Sequence, residues 1–178
     1  MRGVVVTGLK DYLESEGGMN LWQELLTKAD KEDLIVMSSE FYPDDFVVSM
    51  VVMAAELTET PVNEFIEQFG KHLFKTLDTF YHFMMDDIKD YDTLIHSLDN
   101  IIHPQVKKLH PDAIVPSFEV SNKDNGWHIE YRSERKLCPL AIGLLYGAAE
   151  HYNFPINIEH PHCVHSGHPC CEFEVNCV

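Results

Sequence analysis

Residues 126–135, Gly-Trp-His-Ile-Glu-Tyr-Arg-Ser-Glu-Arg, alternate bulky and charged side chains with a period of two. That period suits a strand and no helix, because successive side chains on a strand point to opposite faces. The preceding Lys123-Asp124-Asn125-Gly126 ends in an Asn-Gly pair, a strong hairpin signal, and Phe118-Glu119-Val120 lies on its far side. Ile156 to Cys163 and Cys171 to Cys177 alternate in the same way around Gly167, and Pro139 to about Tyr152 between the two pairs reads as a helix. The order β-β-α-β-β predicts a small four-stranded antiparallel sheet with a helix laid across it.

The preceding part of the chain is helical in pattern. Residues 4–16 and 19–29 are short amphipathic segments parted by Gly17-Gly18. Tyr42-Pro43-Asp44-Asp45 supplies a stop and then acids for the first turn of a helix to about Thr58. Thr60-Pro61 reads as an N-cap followed by proline at the first helical position, with helix to about Thr79. Leu94, Ile95, Leu98, Ile101, Ile102, Val106 and Leu109 form one apolar stripe at helical spacing, ending near His110-Pro111. The expected fold class is α+β: helices first, the antiparallel sheet last.

Charge and length narrow the function. The 178 residues carry 29 acids and 13 Lys or Arg, a formal charge of −16. Nucleic-acid backbones and anionic membrane surfaces require a basic footprint, so neither is an expected partner. The acids concentrate in residues 1–100, where 20 face 7 bases, which keeps the protein soluble or offers a docking face to a basic partner. The longest apolar stretch, Phe46 to Ala55, is interrupted by Ser49 and fenced by Asp45 and Glu56, so it reads as a buried helix and not a membrane span. Met1 to Lys10 holds no signal-peptide pattern, and the five cysteines are an odd number confined to Cys138 onward, unlike a secreted disulfide scaffold. A cytoplasmic location is expected.

The strand at 127–135 poses a chemical problem. Trp127, Ile129, Tyr131, Ser133 and Arg135 share its inward face, so that face ends in three polar groups where a core should be apolar. Burying them without partners costs several kcal/mol, of order 1–3 per group. Either the sheet end opens to solvent, or Arg135 grips a buried anion bidentately. A second oddity is His103, which lies roughly 120° around the helix from the centre of the apolar stripe and precedes Pro104. By position alone it would be a surface histidine.

Tyr131-x-Ser133-x-Arg135 resembles the Tyr-x-Ser-x-Arg motif of haem-nitric oxide/oxygen binding (H-NOX) domains. Further pieces fall in that family's order: Met1-x-Gly3, Trp22, Tyr42-Pro43-Asp44, Phe69-Gly70, Leu98-Asp99-x-x-x-His103 and Pro116-Ser117-Phe118. The resemblance implies haem b between a distal helical subdomain (about residues 1–62) and a proximal α+β subdomain (about 63–178). It also implies His103 as the axial iron ligand, Tyr131, Ser133 and Arg135 on the haem propionates, and Pro116 pressed on the porphyrin. Oxygen-binding members carry a Tyr five residues after the motif Arg; here that position is Leu140, which cannot donate a hydrogen bond to bound oxygen. With Val5, Leu9 and Leu144 it would line an apolar pocket suited to nitric oxide, or carbon monoxide, whose bonds to ferrous iron need no distal donor. The resemblance thus implies a non-catalytic nitric oxide sensor in which ligand binding weakens the His103–iron bond. Its output would go to a separate protein, a histidine kinase or a cyclic-di-GMP enzyme.

The tail from His160 to Cys171 holds four His and three Cys within twelve positions. Zinc takes four N or S ligands in a tetrahedron, often in close pairs joined by a turn. Cys163 and Cys171 flank Gly167, His160 precedes Cys163 by three, and Cys138 can arrive from across the sheet. Stand-alone bacterial members of the family resemble this tail in carrying a Cys₃His zinc site, which implies Cys138, His160, Cys163 and Cys171 as ligands and leaves Cys170 and Cys177 spare. Two rival readings stand beside the nitric oxide sensor: a zinc- and thiol-based redox sensor in which haem is secondary, and an oxygen-binding haem protein.

Overall fold

A computed structural model describes residues 1–178. Helix α1 (Gly3–Lys28) bends at Gly18, where φ is 70° and ψ −176°, a backbone shape glycine adopts without strain. The two amphipathic segments expected around Gly17-Gly18 are therefore the two arms of this bent helix. Helix α2 (Asp44–Leu57) starts on the two expected acids, and helix α3 (Val62–Tyr81) follows. Pro61, not Thr60, is the residue at the cap of α3, and the Thr60 hydroxyl donates to the Thr58 carbonyl instead. Leu9, Leu13, Leu25, Met50, Ala54 and Phe65 from these three helices are essentially inaccessible and form one apolar core.

The second core lies under the sheet. Strands β1 (Ser117–Lys123), β2 (Gly126–Arg132), β3 (Ile156–His162) and β4 (Cys171–Cys177) form an antiparallel sheet in the order β1-β2-β4-β3. Lys123 pairs with Gly126, so the hairpin loop is Asp124-Asn125 and the expected turn glycine closes it with φ at 139°. Trp127, Ile129, Tyr131, Phe173 and Val175 bury against helix α4 (Tyr91–Ser97) and helix α6 (Cys138–His151). Helices α3 and α6 carry the two cores and meet closely. A methyl on Gly70 would sit 2.6 Å from the Leu140 carbonyl oxygen, and one on Gly143 would strike the Glu67 carbonyl. Glycine is required there by the approach of two backbones.

Two further expectations differ from the structure. The apolar stripe from Leu94 to Leu109 is not one α-helix: it runs as α4, a π-helical turn over Leu98–Ile102 and helix α5 (His103–Leu109). Pro104 gives the reason. It has no N–H for the Asn100 carbonyl, and its ring would collide with that carbonyl in α register. The chain widens there, and the His103 N–H bonds to Leu98 O, five residues back. Second, β2 ends at Arg132, so Ser133 and Arg135 sit in the turn leading to α6 and not on the strand. No helix is long and apolar enough to cross a membrane.

Candidate functional site

The π turn sets up His103. Asp99 and His103 lie four residues apart across it, and Asp99 Oδ1 is 3.1 Å from His103 Nδ1. The other Asp99 oxygen accepts the backbone N–H of Phe118 at 2.8 Å, so the carboxylate ties the π turn to the start of β1. With Nδ1 donating to a carboxylate, the lone pair of the imidazole resides on Nε2, the arrangement seen when a histidine serves a metal. The side chain is 16% exposed, and burial holds its pKa below the ordinary histidine value against the opposing pull of Asp99. A neutral, oriented imidazole with Nε2 free fits an axial ligand of haem iron. The ring also packs against Phe118, with centroids 5.7 Å apart, and Pro116 enters β1 two residues before it.

Arg135 meets an anion, and that anion belongs to the chain. Nε and Nη2 both donate to Asp44 at the first turn of α2, Nη2 at 3.2 Å from Oδ1, while Nη1 donates to the Ile114 carbonyl at 2.6 Å. The open sheet end considered from the sequence is thus replaced by an ion pair between the two parts of the molecule. Asp44 also accepts from the Met1 ammonium at 2.7 Å. Burial would raise the Asp44 pKa, but these two cations hold it below the usual carboxylate range. A guanidinium carries five N–H groups, and three are engaged here. The remainder fit a carboxylate such as a propionate. The backbone N–H of Arg135 is 3.3 Å from Ser133 Oγ, which holds the two motif residues together. Tyr131 is buried beside them, its phenol pushed up to about 12, chiefly by burial.

On the other side, Val5, Leu140 and Leu144 are half-buried against the helical core, and Leu9 is fully buried in it. Tyr146, the nearby hydroxyl, accepts the Ile158 N–H at 3.0 Å and is thereby turned toward the sheet.

The tail residues converge. One ligand atom each from Cys138, His160, Cys163 and Cys171 lies within 4.8 Å of every other. The Cys163 sulfur is 3.7 Å from that of Cys138 and 3.9 Å from that of Cys171. Two thiolates on one tetrahedral zinc, with Zn–S near 2.3 Å, stand about 3.8 Å apart. His160 Nε2 is buried with no hydrogen-bond partner, an orphan that a metal would satisfy. Cys138 is the first residue of α6, His160 comes from β3, and the Val164–Ser166 turn with Gly167 at φ 89° returns the chain to Cys171 on β4. Cys170 and Cys177 stay outside this set. Cys177 is tied down near the chain's end: its N–H donates to Asn125 O, and its carbonyl accepts from Asn125 Nδ2.

Two residues of the site carry roles that sequence reasoning missed. Asp99 was visible only as a motif letter, although its four-residue spacing to His103 on a helix is a usable signal. Asp44 fits the place of a helix-start acid; its partner Arg135 lies 91 residues away, where no local pattern reaches.

The chain is similar to known proteins in sequence and fold. The model of the family described as "Haem-NO-binding" matches residues 2–160. An H-NOX protein from Shewanella oneidensis, solved in the Fe(II)NO ligation state, is 30% identical over 100% of this chain and 99% of its own, with a TM-score of 0.92. The H-NOX from Shewanella woodyi, solved in the Fe(II)CO state with IWP-051 bound, is 29% identical over 100% of this chain and 95% of its own, with a TM-score of 0.84. Soluble guanylate cyclase 89Db of Drosophila melanogaster is 25% identical over 138 residues, covering 76% of this chain; the chain spans only 20% of that protein.

Proposed function

The chain belongs to the haem-NO-binding family, gas-binding haem sensor domains related to soluble guanylate cyclases and not themselves catalytic, and on that premise we propose that it is a nitric oxide sensor that signals to a separate protein. The observation that carries the choice of gas is the apolar set of Val5, Leu140 and Leu144, with the Tyr146 hydroxyl held on the sheet side by the Ile158 N–H. Oxygen bound to iron carries partial superoxide character and is held by a hydrogen-bond donor; nitric oxide and carbon monoxide are not so dependent.

Haem b, when bound, supplies the ferrous iron that takes the gas. His103 would hold it through Nε2, with Tyr131, Ser133 and Arg135 at its propionates and Pro116 beside the ring. The helical core, to which α3 adds Phe65, Phe69 and Leu73, would be the distal side (from about residues 1–62 and the start of α3), and the core under the sheet the proximal side. The free and gas-bound states must differ in contacts made by this chain for a partner to read them. The Asp99–His103 contact and the Asp44–Arg135 pair are placed to change, since one positions the ligand and the other joins the two cores. A cytoplasmic histidine kinase or cyclic-di-GMP enzyme is the partner class. Zinc at Cys138, His160, Cys163 and Cys171 completes the cofactor set; the 3.7 Å and 3.9 Å sulfur separations also support a second, thiol-based reading in which that site senses oxidants.

The test of the haem assignment is His103→Gly. Haem retention should fall sharply and return when free imidazole is supplied; an unchanged haem content and absorption spectrum without imidazole would reject His103 as the ligand.

A further inference from the structure

The two proposed metal positions are joined by an unbroken run of contacts. Cys171 on β4 pairs across the sheet with Tyr131 on β2, and Tyr131 pairs in turn with Phe118 on β1. The rings follow the same path: His160 to Phe173 at 4.9 Å, Phe173 to Tyr131 at 5.5 Å, Tyr131 to Phe118 at 5.1 Å and Phe118 to His103 at 5.7 Å. Phe118 reaches His103 twice, by its ring and by its N–H on the far oxygen of Asp99. Cys171 and Phe173 have no accessible surface and Tyr131 only 4%, so the middle of the run is packed without room for independent movement.

From this juxtaposition we propose that metal occupancy of the Cys138–His160–Cys163–Cys171 cluster and the attachment of His103 to iron are thermodynamically linked, with Phe118 as the positioning residue between them. The inference rests on the reading above and adds to it that one site tunes the other. A divalent thiophilic ion fixes Cys171 and His160, which fixes Phe173, Tyr131 and Phe118, and so holds Asp99 and His103 in their docked arrangement. Removing the ion frees that end of the run and favours detachment of His103. Linkage is reciprocal, so nitric oxide binding lowers metal affinity by the same factor. The gas sensor would then report nitric oxide less readily when zinc is plentiful, and thiol status would set its threshold.

The experiment uses the full haem-loaded chain with thiols reduced, either zinc-loaded or stripped by chelator. Two quantities are read: the ratio of five- to six-coordinate nitrosyl haem by absorption, and zinc affinity with and without nitric oxide by competition with a chromogenic chelator. Zinc removal should raise the five-coordinate ratio about fivefold or more, and nitric oxide should weaken zinc binding by a similar factor, the lower range of known couplings. Phe118→Leu should bring both factors toward one. In His103→Gly with free imidazole the ring is no longer tethered, and nitric oxide should leave zinc affinity unchanged; a fall that persists there is direct attack on the thiols and overturns the linkage. Zinc and haem both bound, with both factors equal to one in the unmutated chain, also overturns the linkage and leaves the sensor reading intact. A chain that takes up no haem, or no zinc, overturns the reading on which the linkage rests.

Discussion

Oδ1 of Asp99 lies 3.1 Å from Nδ1 of His103 across a π-helical turn. The same carboxylate holds the Phe118 N–H, so one side chain fixes the tautomer of His103 and the position of the turn that carries it. Groups in this relation to a metal ligand typically contribute ten- to a hundredfold in affinity. Asp99→Ala should therefore release haem to an acceptor protein about ten times faster or more, while Asp99→Asn, which keeps one acceptor oxygen, should lie between. Equal haem-loss rates in all three proteins would show that His103 is oriented by something else.

Pro104 is the second determinant of that turn. Proline inside a helix costs about 3 kcal/mol relative to alanine, and the π turn over Leu98–Ile102 is the local relief of that cost. Pro104→Ala should stabilise the chain, by less than the roughly 3 kcal/mol proline costs in a helix interior because Pro104 lies in the first turn of α5, and reduce the five-coordinate share of the nitrosyl haem, because His103 would ride on a continuous helix. Thermal unfolding and absorption measure the two effects. A loss of stability would show that the widened turn is held by other contacts.

Asp44 sets an acid limit. Its folded-state pKa is depressed, burial being outweighed by Arg135 and the Met1 ammonium. The stability it contributes is complete above the unfolded carboxyl value, about 3.9, and is lost as pH falls through the lower folded value. Melting temperature should drop below about pH 4, and Asp44→Asn should be less stable at neutral pH and show a shallower acid fall. Parallel acid limbs in the two proteins would remove Asp44 from the account of acid sensitivity.

Much of this was legible from residue types. The strand Cys171–Cys177 and the antiparallel pairing follow from alternation and turn glycines, because a two-residue period is a direct record of which face is buried. The metal cluster was legible because Cys and His are rare ligands at readable spacing, and all four expected side chains converge. The π turn was hidden, since an apolar stripe records only which face is buried and does not register one extra residue per turn. The Asp44–Arg135 pair was hidden for another reason: an ion pair across 91 residues leaves no local pattern.

Metal analysis of the reduced chain should give about one zinc per chain, as expected of a four-ligand site. Cys163→Ala and Cys171→Ala should each lose it and unfold more easily, because structural zinc contributes folding energy directly. Cys177→Ser should keep full zinc; its sulfur lies at the opposite end of β4 from Cys171, and Cys177 pairs with Ile156. Full zinc in both alanine variants would remove the cluster from the cofactor set.

The choice of gas rests on the apolar surroundings of Leu140 and has one direct test. The reduced haem-loaded protein is followed by absorption without oxygen, then with nitric oxide, then separately in air. The expected result is a nitrosyl spectrum with nitric oxide and no stable oxy complex in air. A persistent oxy spectrum would contradict it, because a donor to bound oxygen would then have to exist where Val5, Leu140 and Leu144 offer none.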